Sequence, residues 1–258
     1  MTGRVLHVSP HPDDEAVGCP ALYRALADSG QHVVNLLTSL GHPGDRTRRR
    51  DEAQRASDLA GTELVVLEDA VAAPDLAAFE DLVTTALAKQ AAGGDVLAVL
   101  APSPHDNHPR HEAIGRATLR ALEGTDVTVL LYAVWGSLPL PTAAFPCDDA
   151  ALDGAEELLR CYAGEVDRND YVALVRHRAH AARVLAAEQV FGFGSVQDLP
   201  GVGAEVFTEV RRRGGRWLAG RPRLLEPAAL VAEPSDRDVT AWLTGPSARD
   251  LVGWHDRA

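Results

Sequence analysis

Along the first half of the chain, short apolar runs alternate with longer segments whose apolar positions recur at helical spacing. That alternation predicts a parallel sheet flanked by helices. Arg4-Val5-Leu6-His7-Val8-Ser9 predicts the first strand. After a loop beginning at Pro10, Pro20 stands where a helix starts without losing a needed N–H, and Ala21 to Ser29 continues it until Gly30. Strands are predicted at His32 to Thr38, Glu63 to Leu67, Asp95 to Leu100 and Asp126 to Tyr132. Helices are predicted from an arginine-rich run ending near Gly61, over Asp75 to Lys89, and from about Pro109 to Leu122. Successive β-α units of this kind predict a Rossmann-like open, mostly parallel α/β sheet with helices on both faces.

Past Val134 the periodicity weakens. Trp135 to Asp149 predicts a long Pro-containing loop, with Gly136 to Asp149 the best lid candidate. Glu156 to Tyr162 predicts a short helix and Asn169 to Gln189 a longer one. The glycine-rich remainder predicts loops with two strands, near Glu205-Val206-Phe207 and Arg223-Leu224-Leu225, and Trp242 and Trp254 predict a tail packed back on the body. The expectation is one domain over residues 1–258, with an α/β core in 1–133 and a lid and C-terminal elaboration in 134–258.

Composition narrows the function classes. A net charge of -12 repels phosphate backbones, and Arg48-Arg49-Arg50 and Arg211-Arg212-Arg213 are only local basic patches, so no nucleic-acid partner is expected. No apolar run is long enough for a membrane span, and a cytoplasmic location is the default expectation. Cys19, Cys147 and Cys161 show no C-x-x-C pairing, so they predict buried small hydrophobes and neither a disulfide framework nor a thiolate zinc site.

Candidate chemistry lies in two clusters, His11-Pro12-Asp13-Asp14-Glu15 and Asp106-Asn107-His108-Pro109-Arg110-His111, each following a predicted strand. A catalytic zinc takes three protein ligands and keeps a position open. If strands one and four adjoin where the sheet order reverses, both clusters face one crevice. His11 and Asp14 are spaced to reach one ion, and either His108 or His111 supplies a third ligand while the other stays free. The surplus of acids and imidazoles exceeds what a structural site uses, leaving groups for proton transfer and oxyanion stabilisation. The competing reading of the acidic cluster is a helix N-cap, and Glu15 is expected to cap a helix or to brace the ligands from behind. His-Pro-Asp-Asp-Glu in place of a Gly-rich fingerprint argues against a nucleotide-binding module.

At Pro10-His11-Pro12-Asp13-Asp14-Glu15 the sequence resembles the PIG-L, or LmbE-like, family of zinc N-acetylglucosamine deacetylases. Val17-Gly18-Cys19, Arg49-x-x-Glu52 with Ala56 and Gly61, and Pro104-x-Asp106-x-His108-Pro109-x-His111 match that family in order and spacing, over roughly Arg4 to Tyr132. The resemblance implies His11, Asp14 and His111 as metal ligands, Asp13 as general base, His108 as the acid or electrophilic group, and Arg49 as a substrate contact with Arg50 as its possible replacement. It implies one Zn2+ per chain, or another divalent metal such as Fe2+, and hydrolysis of the acetamide of a small N-acetylated sugar to acetate and a free amine. A natural-product or antibiotic intermediate fits that substrate class, and the alternative is a zinc amidase removing a larger acyl group from a sugar-thiol conjugate. Arg110 stands where the family carries an acid, Pro20-Ala21 replace a Gly-Gly, and the segment around His177 and His180 matches only loosely. Those two histidines are expected in solvent or core, His7 in the core, His42 and His105 near the crevice, and Tyr132 with Trp135 either as a sugar platform or, equally, as buried core aromatics.

Overall fold

A computed structural model describes residues 3–231 and 233–253. The chain order is β1 (Arg4–Ser9), α1 (Asp14–Gly18), α2 (Pro20–Asp28), β2 (His32–Leu37), α3 (Arg46–Ala60), β3 (Glu63–Val66), α4 (Glu68–Val71), α5 (Leu76–Ala91) and β4 (Val96–Pro102). It continues with α6 (Pro109–Ala121), β5 (Thr128–Tyr132), β6 (Ala143–Cys147), α7 (Asp149–Leu159), α8 (Ala163–Arg168) and α9 (Tyr171–Gln189). The last elements are β7 (Gly203–Arg213), β8 (Arg216–Gly220), β9 (Arg223–Leu224), β10 (Pro234–Asp238), α10 (Thr240–Thr244) and α11 (Ala248–Val252).

The main sheet runs β10-β8-β7-β5-β4-β1-β2-β3. Its β3-β2-β1-β4-β5 portion is parallel, as the alternating apolar and amphipathic segments predict. Side chains alternate across it: Val5, Val33, Ala98 and Leu130 enter one hydrophobic cluster, and Leu6, Val34, Val99 and Val129 the opposite one. Both faces are therefore covered by helices, which is why these strands read as nearly continuous apolar runs. Chain order reverses between β1 and β4, so the loops leaving their carboxyl ends share a crevice.

Beyond β5 the sheet continues with antiparallel strands, β7 on β5, β8 on β7 and β10 on β8. This region corrects several sequence expectations. The Trp135–Asp149 loop contains β6, which pairs with β7 and with β9 in a second small sheet, so the lid candidate is hydrogen-bonded into the fold. The strand expected near Glu205 to Phe207 is an eleven-residue ribbon, Gly203–Arg213, and β8 and β10 were not predicted. The short helix predicted over Glu156 to Tyr162 starts earlier, at Asp149, where Asp148 caps it by accepting from Ala151 N–H. Trp242 packs against the core cluster, whereas Trp254 lies outside the described residues. Cys19 and Cys147 are buried, Cys161 is partly exposed, and all three are free thiols.

Candidate metal centre and active site

The first cluster departs from a simple strand-to-helix loop. Asp13 adopts a left-handed backbone, φ 112°, and makes no side-chain cap bond to α1. A non-glycine residue held there is strained and persists only where its surroundings over-determine it. The N-cap reading of the acidic run fails on that geometry. The sharp turn instead lets α1 begin at Asp14, whose Oδ2 accepts from the His11 backbone N–H at 2.7 Å. Gly18 ends α1 against the Tyr132 ring, where a Cβ would come within 2.5 Å of Tyr132 Cε2, so only glycine permits this approach.

The second cluster sits on α6, which Pro109 opens. His111 projects from its first turn, with Nδ1 2.7 Å from Asp106 Oδ2. The other Asp106 oxygen accepts from the backbone N–H groups of Val134, Trp135 and Gly136 at 2.8, 3.1 and 3.0 Å. Asp106 therefore fixes the His111 ring and the chain after β5 together. Across the crevice, Asp14 Oδ2 is 3.1 Å from His11 Nδ1 and 3.4 Å from His111 Nε2.

One ligand atom from each of His11, Asp14 and His111 lies within 4.8 Å of the others. His111 Nε2 is buried without a hydrogen-bond partner and belongs to this group. Two imidazoles and a carboxylate converging from two segments, 11–14 and the first turn of α6, form a donor set suited to a divalent transition metal. Burial opposes charge on His111, but Asp14 and Asp106 outweigh it and raise the imidazolium pKa to about 10. Burial likewise opposes the Asp14 carboxylate, while His111 and His11 hold it well below the usual range.

Asp13 is nearly buried beside this group, and burial, followed by the Asp14 and Glu165 charges, pushes its carboxyl well above the usual range. The His108 ring stands edge-on to His11, centroids 5.0 Å apart, and 4.6 Å from His111. Asp13, His108 and the His11–Asp14 pair line a cavity of about 310 Å³. Its other walls are Arg49, Trp135, Glu165, Arg168 and Tyr171. Arg49 donates to Pro12 O at 3.3 Å and to Glu165 at 2.8 Å, while Arg50 turns away to Glu68. Geometry therefore favours Arg49 over Arg50 as the arginine of the cavity.

Glu15 is buried behind the site, accepting from Tyr162 O–H and from Ser9 Oγ at 3.3 Å, so it braces the loop. Burial is the main cause of its pKa rising to about 7. His7 is fully buried against Tyr132 and Tyr23, as expected of a core histidine. Tyr132 lies in that core and forms no platform, because the His7 ring stacks on it, whereas half-exposed Trp135 does line the cavity. His105 is bound to Trp242 O and stacks on that ring, and His42 caps a turn by accepting from Gly44 N–H, so neither joins the cavity wall. His177 and His180 are exposed on α9.

Glu165, Arg168 and Tyr171 were missed by sequence reasoning. Arg168 donates to Glu165 at 2.8 Å and to Tyr171 Oη at 2.7 Å, and Glu165 pairs with Arg49, so α8 and the start of α9 close the cavity through one connected network. An acid and an arginine three apart on a short helix look in sequence like any solvated pair.

Residues 6–122 match the family model described as PIG-L, GlcNAc-PI de-N-acetylase. A diacetylchitobiose deacetylase of Thermococcus kodakarensis is 28% identical over 134 residues, 46% of this chain and 49% of that protein. The match thus spans about half the length of this curated relative. Among solved structures, the zinc-inhibited form of a teicoplanin deacetylase aligns over 82% of this chain and 99% of its own, at 16% identity and a TM-score of 0.60. The 4-carboxy-2-hydroxymuconate hydratase of Pseudomonas putida aligns over 82% and 97%, at 19% identity and the same TM-score of 0.60. A shared fold here spans deacetylase and hydratase, so chemistry has to be argued from the site. The stretch that matches the PIG-L family model, residues 6–122, holds both sequence clusters of that site.

Proposed function

We propose that this protein is a metal-dependent N-deacetylase acting on a small N-acetylated amino-sugar conjugate, with His11, Asp14 and His111 as ligands. The observation that carries it is the convergence of those three ligand atoms within 4.8 Å, with His11 and Asp14 lining a cavity that Asp13 and His108 also line. A divalent ion there, zinc by the donor set, supplies Lewis-acid polarisation of the amide carbonyl and of a water. Asp13 would take the water's proton, since burial beside like charges makes its carboxylate a stronger base than an exposed aspartate. His108, edge-on to the ligand imidazoles, stabilises the developing oxyanion and returns a proton to the departing amine. Arg49 and Arg168 orient sugar hydroxyls, and Trp135 offers an apolar face to the ring. The named activity of the diacetylchitobiose deacetylase supports an N-acetylated sugar as substrate.

A mass-spectrometric screen of N-acetylated glycosides with metal-loaded protein tests the reading. The expected result is loss of one acetyl group with stoichiometric acetate, abolished in Asp13→Asn with the metal retained. Release of a larger acid would replace the acetyl reading with the amidase one. Protein purified without chelators that holds no stoichiometric metal and cleaves no amide would sink both.

A further inference from the structure

The metal-type cluster opens on two sides. His11 and His108 line the cavity that contains Arg49, and they also line a second, more open hollow of about 430 Å³ whose other walls include Pro109, Arg110, Pro74 and Leu76. The reacting centre therefore lies at the junction of two arms. The first arm carries its own counter-charges, with Arg49 and Arg168 both paired to Glu165. The second carries a half-buried cation with none. Arg110 packs its guanidinium over the Phe79 ring, 4.6 Å from the centroid, and Phe79 is fully buried. Among the described residues Arg110 has no ion pair and no hydrogen bond. The carboxylate of this arm, Asp75, caps α5 by accepting from Ala78 N–H at 2.8 Å.

A guanidinium is planar and presents its N–H donors as a fork, the arrangement that grips a planar or tetrahedral anion through two bonds, and the Phe79 ring beneath it restricts where that fork can go. On a chain of net charge -12, such a cation beside the reacting centre is a local exception to the repulsion of anions. We propose that Arg110 receives an anionic substituent, a carboxylate or phosphate, carried by the substrate on the side of the amide away from Arg49. The proposal rests on the deacetylase reading for which bond reacts, and it assigns Arg110 as a specificity residue. The same placement gives this chain's arginine, at the position where the family has an acid, a physical role.

The test uses matched N-acetylglucosamine glycosides with propyl, carboxypropyl and phosphopropyl aglycones. Binding is measured by calorimetry on metal-loaded Asp13→Asn protein, and acetate release on the metal-loaded native chain. One or both charged glycosides are expected to bind roughly tenfold more tightly than the neutral one, as a charge-assisted contact predicts. That ratio falls to about one in Arg110→Met, which keeps contact with Phe79, stays intermediate in Arg110→Lys, and shrinks as salt is raised. Whichever charged compound shows the preference identifies the source of the anion. Equal affinity for all three glycosides, or a preference that survives Arg110→Met, overturns the proposal. Charge-selective binding without acetate release from any glycoside overturns the deacetylase reading alone, and acetate release without charge selectivity overturns this inference alone.

Discussion

The two halves of the chain serve the site in opposite ways. Through β5, short loops at the ends of parallel strands place His11, Asp13, Asp14, Asp106, His108 and His111 by backbone geometry. After β5, antiparallel strands and α7 to α9 add the walls, with Trp135, Glu165, Arg168 and Tyr171 arriving from separate elements. The first half concentrates charge that wants an ion, while the second surrounds it with paired charges and aromatics. Two carboxylates stitch the halves together, Asp106 fully buried and Glu205 half-buried. Asp106 of the first half holds the backbone of residues 134–136, and Glu205 of β7 accepts from Ala21 and Leu22 N–H at 2.7 and 2.9 Å, capping α2. The difference teaches that each of the two clusters is set by its own strand-end loop, whereas the cavity walls come from elements scattered along the chain.

The sharpest way to break this comparison is His111→Ala. Metal by elemental analysis is expected to fall from about one per chain to near none, and amide hydrolysis by at least roughly a thousandfold. Retention of stoichiometric metal would remove His111 from the ligand set and with it the division of labour. A smaller effect is expected from Asp106→Asn, which puts an amide where one carboxylate served His111 and three backbone donors. Metal affinity should drop roughly 10- to 100-fold and stability by about 1–3 kcal/mol, measured by metal titration and denaturant unfolding. Unchanged values in both would show that the link between the halves carries no energy.

The smallest effect concerns Glu205. Burial is the main cause of its pKa rising from 4.5 to about 7, and the two backbone N–H bonds offset that only in part. A carboxyl raised on folding favours the native state while protonated. Its contribution is complete below about pH 4.5 and is lost as pH climbs through about 7. Glu205→Gln removes that dependence, so Tm of the native chain relative to the variant should decline over this window by a few degrees. A flat difference curve would mean that the cap is ionised throughout.

Sequence periodicity carried the first half because its central strands are buried on both faces, and β1 and β4 stop at Pro10 and Pro102. Val5 to Ser9 and Val96 to Pro102 therefore read as apolar runs with clear stops. The same logic failed after Val134. Strand β6 contains Pro146 beside Ala143 and Ala144, and β8 is a short Arg-Trp-Leu-Ala-Gly run. Their strand state comes from pairing with the long β7 ribbon, a partner sixty residues away for β6, and local propensity does not encode it. Arg110 was anomalous in sequence for a related reason, since its partner Phe79 is brought to it by α5 packing on α6.

By itself, the sequence determined the open α/β core, the two clusters and their place after strands one and four. Backbone periodicity and the chemistry of His, Asp and Pro are local properties written in consecutive residues. Only the tertiary structure decided which atoms meet. It strained Asp13 to turn Asp14 towards His11, used Asp106 to aim His111, selected Arg49 over Arg50, and brought Glu165, Arg168 and Tyr171 from α8 and α9 to close the cavity. Those contacts depend on distances across the sheet and between helices, and packing of the whole chain sets them.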